Sequence, residues 1–164
     1  MSEKYNSYKA LFSERRLPLA YVDLDLFDEN IRAIQARAGN RPIRVATKSL
    51  RCVTLIERIL AAAPQFHAVM AFGVREAVFL AERGLDDILV AYPAMREADT
   101  PGLFEQLRNG KTITLMVDCA AHVERLEVLG AREGVTIPLC MELGMALVYP
   151  GIYLSGRRSP SVMP

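Results

Sequence analysis

Apolar positions recur along the chain as short runs separated by stretches of helical period. Leu19–Leu24 (LAYVDL), Ile43–Thr47 (IRVAT), Ala68–Phe72 (AVMAF), Ile88–Tyr92 (ILVAY), Thr112–Val117 (TITLMV) and Ile137–Leu143 (IPLCMEL) each have the length and side-chain content of a strand. Between them apolar residues fall on single helical faces. Phe27, Ile31, Ile34 and Ala38 follow Asp25, a good N-cap, and stop at Gly39 and Asn40. Val53, Ile56, Leu60 and Ala63 precede Pro64. Val74, Val78 and Ala81 precede Gly84, Leu103 and Leu107 precede Gly110, and Val123, Leu126 and Leu129 precede Gly134. From the second run onward the strand starts lie roughly 20 to 25 residues apart, the span of one strand, one helix and two short loops, so consecutive strands are predicted to be parallel.

Parallel sheets of this kind close into a (β/α)8 barrel or open into a doubly wound sheet, and periodicity does not choose between them. A full barrel takes about 250 residues, whereas the chain has 164 residues. The organisation expected is an N-terminal helical segment over residues 1–16, a β/α region over 17–154 and an irregular tail, SGRRSPSVMP, over 155–164.

Hydrophobic residues make up 51% of the chain, enough for a core. Twenty basic residues against 19 acidic, without a block of either sign, give nucleic acid or a membrane surface no electrostatic purchase, so small molecules or copies of the chain are the expected partners. Cys52, Cys119 and Cys140, odd in number and widely spaced, are expected as unpaired thiols in a reducing compartment. The polar start MSEKYNSYKALFSERR has no apolar signal core and no uncharged 18-residue apolar run follows, so the reading is a cytoplasmic soluble protein.

Several motifs fail on inspection. Gly110-Lys111-Thr112 has Glu105 where a phosphate-binding loop needs glycine, and it joins a helix to a strand, the wrong order. Neither G-x-G-x-x-G nor G-x-S-x-G occurs. Cys119 and His122 stand three apart at a helix start, but two ligands do not make a site, so no metal is expected. His67 is given no role.

Lys48 stands directly behind the β-branched run of Ile43–Thr47. Strand alternation puts Arg44, Ala46 and Lys48 on one face, with Lys48 at the strand's carboxyl end, where parallel α/β folds build their pockets. A desolvated amine there can attack a carbonyl carbon, although a lysine at a strand end taken alone is as readily a solvated charge.

The ordered words LPLAYVDLDLFDENIRAI, IRVATKS, AVMAFGVREAVFLAERGLDDILVAYP, ITLMVDCAAHVERLE and IPLCMELGM resemble the N-terminal region of the alanine racemase-like, fold-type III pyridoxal-phosphate enzymes, nearest the D-threonine aldolase and D-serine dehydratase branch. The resemblance runs from about Leu17 to Pro160. It implies a partial (β/α)8 barrel of five barrel strands, apparently truncated, with Leu19–Leu24 outside the barrel. It implies pyridoxal 5′-phosphate as cofactor, an internal aldimine through Lys48, an arginine of the branch at Arg44, an amino-acid substrate and a homodimer. The family's acidic-x-Gly-Met-x-Arg pattern is present as Glu142, Gly144 and Met145, but its arginine is replaced by the run ALVYPG, leaving Arg157 and Arg158 as the nearest cofactor-binding candidates.

The function expected from the resemblance is that of an amino acid racemase, aldolase or dehydratase, or a fragment of one lacking the late barrel and the C-terminal β-domain. Such a fragment is expected to hold the cofactor weakly, because the late loops carry the phosphate contacts. A non-catalytic pyridoxal-phosphate carrier of the same barrel superfamily and an inactive remnant that pairs with another chain are the alternatives.

Overall fold

The computed structural model describes residues 3–93, 96, 98, 100–143, 146–149 and 152–155. They fall into two compact units, Met1–Arg37 and Ala38–Pro164.

The first unit contains α1 (Glu3–Leu11) and most of α2 (Leu24–Ala38). The strand expected over Leu19–Leu24 does not form: residues 19–23 have no regular structure and α2 starts at Leu24. Asp23 decides this, because it caps the helix two residues before the expected Asp25. Its Oδ1 accepts the Leu26 N–H at 3.0 Å and its carbonyl accepts the Phe27 N–H at 3.0 Å. Tyr21, apolar enough to suit a strand, instead joins a ring cluster, 5.2 Å from Tyr8 and 4.7 Å from Phe12 between centroids. The Tyr8 hydroxyl donates a hydrogen bond to Asp23 Oδ2. That bond pushes the phenol up from 10.0 to about 12, and holds the Asp23 carboxyl below its usual range.

In the second unit, strands alternate with helices. The order is β1 (Ile43–Ala46), a 3-10 turn (Thr47–Ser49), α3 (Val53–Ala62), β2 (Phe66–Ala71), α4 (Val74–Glu82), β3 (Ile88–Val90), α5 (Pro101–Arg108), β4 (Ile113–Val117), α6 (Ala120–Glu133) and β5 (Leu139–Met141). A hairpin of β6 (Ala146–Tyr149) and β7 (Ile152–Ser155) follows, two strands that the sequence reading did not assign. The expected helices over Val53–Ala63, Val74–Ala81 and Val123–Leu129 are present, and Gly134 closes α6 in the left-handed region at φ 64°.

Strands β1 to β5 form one sheet in chain order, every neighbouring pair parallel. This order settles what periodicity left open. A doubly wound sheet reverses direction at a switch point, whereas these five strands advance one way throughout, as an arc of a barrel does. The fold is α/β, a partial barrel with the five strands expected.

Same-direction crossovers put the helices on one face of the sheet. The row Val45, Val69, Ile88 and Ile113, aligned across β1 to β4, is buried at 8% exposure or less, and Ala71, Val90 and Leu115 form a second row at 0%. Ile56, Leu80, Leu103 and Leu126 from the helices complete this core. The opposite row, Ala46, Met70, Leu89 and Thr114, is only half-buried. At the β5 edge Leu139 and Met141 continue the helix-side rows but are exposed.

Gly130 in α6 shows how closely the chain folds back on itself after Gly134. A Cβ at Gly130 would stand 2.8 Å from the Val135 carbonyl oxygen, while the Val135 N–H donates to the Gly130 carbonyl at 3.0 Å. Gly130→Ala should therefore lower stability by about 1–3 kcal/mol in denaturant melts, the backbone clash outweighing the gain of about 1 kcal/mol in helix propensity; an unchanged or raised midpoint would show that the turn gives way.

The Tyr8–Asp23 bond has a defined pH window. The raised phenol contributes fully below its ordinary 10.0 and is lost as pH climbs through about 12; the lowered carboxyl contributes above its ordinary value of 3.8 and is lost as pH falls through the depressed one. In an ultraviolet tyrosinate titration, one of the six tyrosines should ionise late, near 12, and Asp23→Asn, which still caps α2, should bring it back toward 10.

Candidate active site

Strand β1 ends two residues before Lys48. The chain leaves the extended conformation at Thr47, so the alternation that aligned Lys48 with Arg44 and Ala46 stops at Ala46, and Lys48 is the middle residue of the 3-10 turn. Thr47 causes the change. Its side chain is fully buried, and its hydroxyl donates to Glu76 Oε1 at 2.7 Å with the Met70 carbonyl as a second acceptor at 3.1 Å. Its carbonyl accepts the N–H groups of Leu50 and Arg51 at 3.0 and 2.9 Å. Glu76 in turn reaches back from the first turn of α4 to accept the Phe72 N–H at 2.7 Å, much as the acidic member of a capping box does. One carboxylate thus ties the end of β1, the end of β2 and the start of α4 together.

The turn places Lys48 beyond the carboxyl end of β1. The side chain is exposed, yet Nζ is directed across the strand ends to 5.8 Å from the centre of the Tyr92 ring, just past β3. Tyr92 packs on Phe72 with centroids 4.8 Å apart. A cavity of about 410 Å³ borders the turn on its α3 and α4 side, lined by Lys48, Arg51, Cys52 and Phe72 with Ile56, Phe79 and Leu80; Tyr92 is not part of its lining. Its size is in the range of small-molecule sites. Arg51 adopts the left-handed region at φ 51°, a conformation that costs a non-glycine residue on the order of 1–2 kcal/mol, and it redirects the chain into α3.

Arg44 is engaged elsewhere. Its Nη2 pairs with Asp87 Oδ1 at 2.9 Å, and its Nη1 donates to the Asp87 carbonyl and to that of Val69, the latter at 3.1 Å. Asp87 immediately precedes β3, so this guanidinium braces β1 against the entry of β3. His67 lies 3.8 Å from the same aspartate. Arg157 and Arg158, with Gly144 and Met145, lie outside the described residues. Cys52, Cys119 and Cys140 are all free thiols. Cys119 is the N-cap of α6, and His122 Nδ1 lies 2.7 Å from Oδ1 of the buried Asp118.

Sequence reasoning missed Thr47, Glu76, Tyr92 and Asp118. A Gly-x-x-Glu at a helix start, here Gly73 to Glu76, is the one local signal for Glu76; the others come together only through the parallel register.

Residues 22–152 match the family described as alanine racemase, N-terminal domain. Among curated proteins none matches significantly. Among solved structures, D-threonine aldolase from Filomicrobium marinum is 22% identical with a TM-score of 0.69, over 78% of this chain and 34% of that one. D-threo-3-hydroxyaspartate dehydratase from Delftia sp. HT23 is 24% identical with a TM-score of 0.70, over 78% and 34%. An alanine racemase-like protein from Idiomarina loihiensis is 18% identical with a TM-score of 0.61, over 71% and 31%. These likenesses establish the fold, and the chain spans about a third of the length of each of these proteins.

Thr47→Val keeps the shape of the turn's anchor and removes its only donor to Glu76. Denaturant unfolding should register a loss of about 1–3 kcal/mol, the cost of leaving a part-buried carboxylate acceptor unmatched, and Thr47→Ser should recover most of it. Equal stability of all three proteins would show that the hydroxyl does not hold the turn.

Proposed function

The chain belongs to the alanine racemase N-terminal domain family, and on that premise we propose that Lys48 is the cofactor-bearing lysine of a pyridoxal 5′-phosphate enzyme, or of a part of one, that acts on an amino acid as aldolase, dehydratase or racemase. The observation that carries this reading is the position of Lys48, at the carboxyl end of β1, with Nζ 5.8 Å from the Tyr92 ring and the side chain also lining a cavity of about 410 Å³.

The donor set around that cavity fits the group. A primary amine is the partner an aldehyde requires, Phe72 in the cavity wall, backed by Tyr92 outside it, offers aromatic surface for a flat ring, and Arg51 offers a guanidinium for a phosphate. When bound, the cofactor supplies an electron sink for negative charge at the substrate's α carbon. The chain's own residues do the positioning. Thr47 and Glu76 fix the turn, so the Lys48 amine is presented from a rigid support. Arg44, held by Asp87, keeps β1 in register beneath it. The Tyr92 ring, its centre 5.8 Å from Lys48 Nζ, flanks the amine that would meet the aldehyde. Substrate, stereochemistry and the bond broken belong to the same proposal, and the similar aldolase and dehydratase folds support an amino acid bearing a β-hydroxyl.

Borohydride reduction of the 164-residue chain after incubation with pyridoxal 5′-phosphate tests the assignment. Lys4, Lys9, Lys48 and Lys111 are its lysines, and the reduced label should concentrate on the Lys48 peptide. Lys48→Ala should lose the visible absorbance and weaken retention of the cofactor by more than about tenfold, or 1.4 kcal/mol. Label spread evenly over the four lysines, or absorbance that survives Lys48→Ala, would overturn the reading.

A further inference from the structure

Asp118, Cys119 and His122 meet at the start of α6. Local geometry requires it: Cys119 is the extended N-cap residue, and the first turn brings the His122 N–H to within 3.2 Å of the Cys119 carbonyl, so His122 swings back beneath Cys119 and Asp118. One ligand atom from each of the three lies within 4.8 Å of the other two. Asp118 is 7% exposed, and the His122 side chain 21%. His122 Nδ1 is screened from solvent and stands 2.7 Å from Asp118 Oδ1 without an aligned hydrogen bond.

We propose that these three side chains are a binding site for a borderline-soft divalent transition metal of the zinc type, at the carboxyl end of β4 and separate from the Lys48 cavity. The donor set selects the ion. A thiolate and an imidazole suit zinc and cobalt, and hard cations such as magnesium and calcium seek oxygen ligands in larger number. The distances are compatible. Zinc bonds of about 2.0–2.3 Å at tetrahedral angles place neighbouring ligand atoms roughly 3.3–3.8 Å apart. The short Asp118–His122 separation therefore opens and the widest one closes by about 1 Å each, which side-chain rotation allows without moving the helix. Three protein ligands leave a fourth position for water or an oxygen- or nitrogen-bearing ligand. Asp118 follows Val117, the last residue of β4, directly, so the open position lies at the same end of the sheet as the Lys48 turn. The proposal stands apart from the cofactor reading, because none of its residues lines the Lys48 cavity.

Cobalt(II) titration of the full 164-residue chain in the reduced state tests it. The expected result is a thiolate-to-cobalt charge-transfer band with visible bands of tetrahedral intensity, saturating at one ion per chain and displaced by zinc. Cys119→Ser should abolish the charge-transfer band. His122→Gln should weaken zinc by more than about tenfold in competition with a chromophoric chelator, the size of loss that even outer-shell changes produce. Cys52→Ser and Cys140→Ser, matched for loss of one thiol, should leave both readouts unchanged. If the parent chain shows no band, or if the band survives in folded Cys119→Ser, the cluster is an ion pair only and the proposal fails. Should Cys119→Ser lose its circular dichroism, His122→Gln decides alone, and zinc affinity equal to the parent's overturns the site.

Discussion

One carboxylate carries more of this arrangement than any other group. Glu76 accepts from the buried Thr47 hydroxyl and from the Phe72 N–H, so the exit of β1, the exit of β2 and the entry of α4 share a single fixed point. Without it the 3-10 turn keeps its backbone bonds to Thr47 and the Thr47 hydroxyl's contact with the Met70 carbonyl, but loses its link to α4 and to the Phe72 N–H. The direction of Lys48 is therefore a tertiary property: the register of β1 on β2 brings Thr47 within reach of Glu76, and the turn follows.

The periodic part of the fold was legible in the sequence. Helices α3, α4 and α6 end within two residues of their breakers Pro64, Gly84 and Gly134, and the parallel strands fall on the apolar runs. What could not be read was set by competition that periodicity does not express. Leu19–Leu24 has the composition of a strand, but Asp23 and the Tyr8–Tyr21 ring contact draw it into a helix cap. Lys48 follows an alternating strand, but a threonine hydroxyl with a distant acceptor bends the chain first. Arg44 was placed beside Lys48 by counting, and Asp87, 43 residues later, claims its guanidinium.

The sites differ in how local they are. Asp118, Cys119 and His122 occupy five consecutive positions and meet through one helical turn, so the motif was visible and lacked only its third member. The Lys48 surroundings draw on Thr47, Phe72, Glu76 and Tyr92, spread over three strand ends, and no spacing rule joins them. Strand ends of a parallel sheet converge on one rim whatever the intervening helices contain, which is why topology supplied what motif searching could not.

The chain-order sheet also bears on how the structure is reached. Each strand pairs with the next one along the chain, so a new strand closes a loop of one helix and two turns, and closure entropy grows only slowly with such lengths. Contacts between neighbours in sequence favour rapid folding. A strand emerging during synthesis finds its template already made by the strand before it, and the sheet can lengthen from β1 toward β5 at the pace of translation without waiting for residues far downstream.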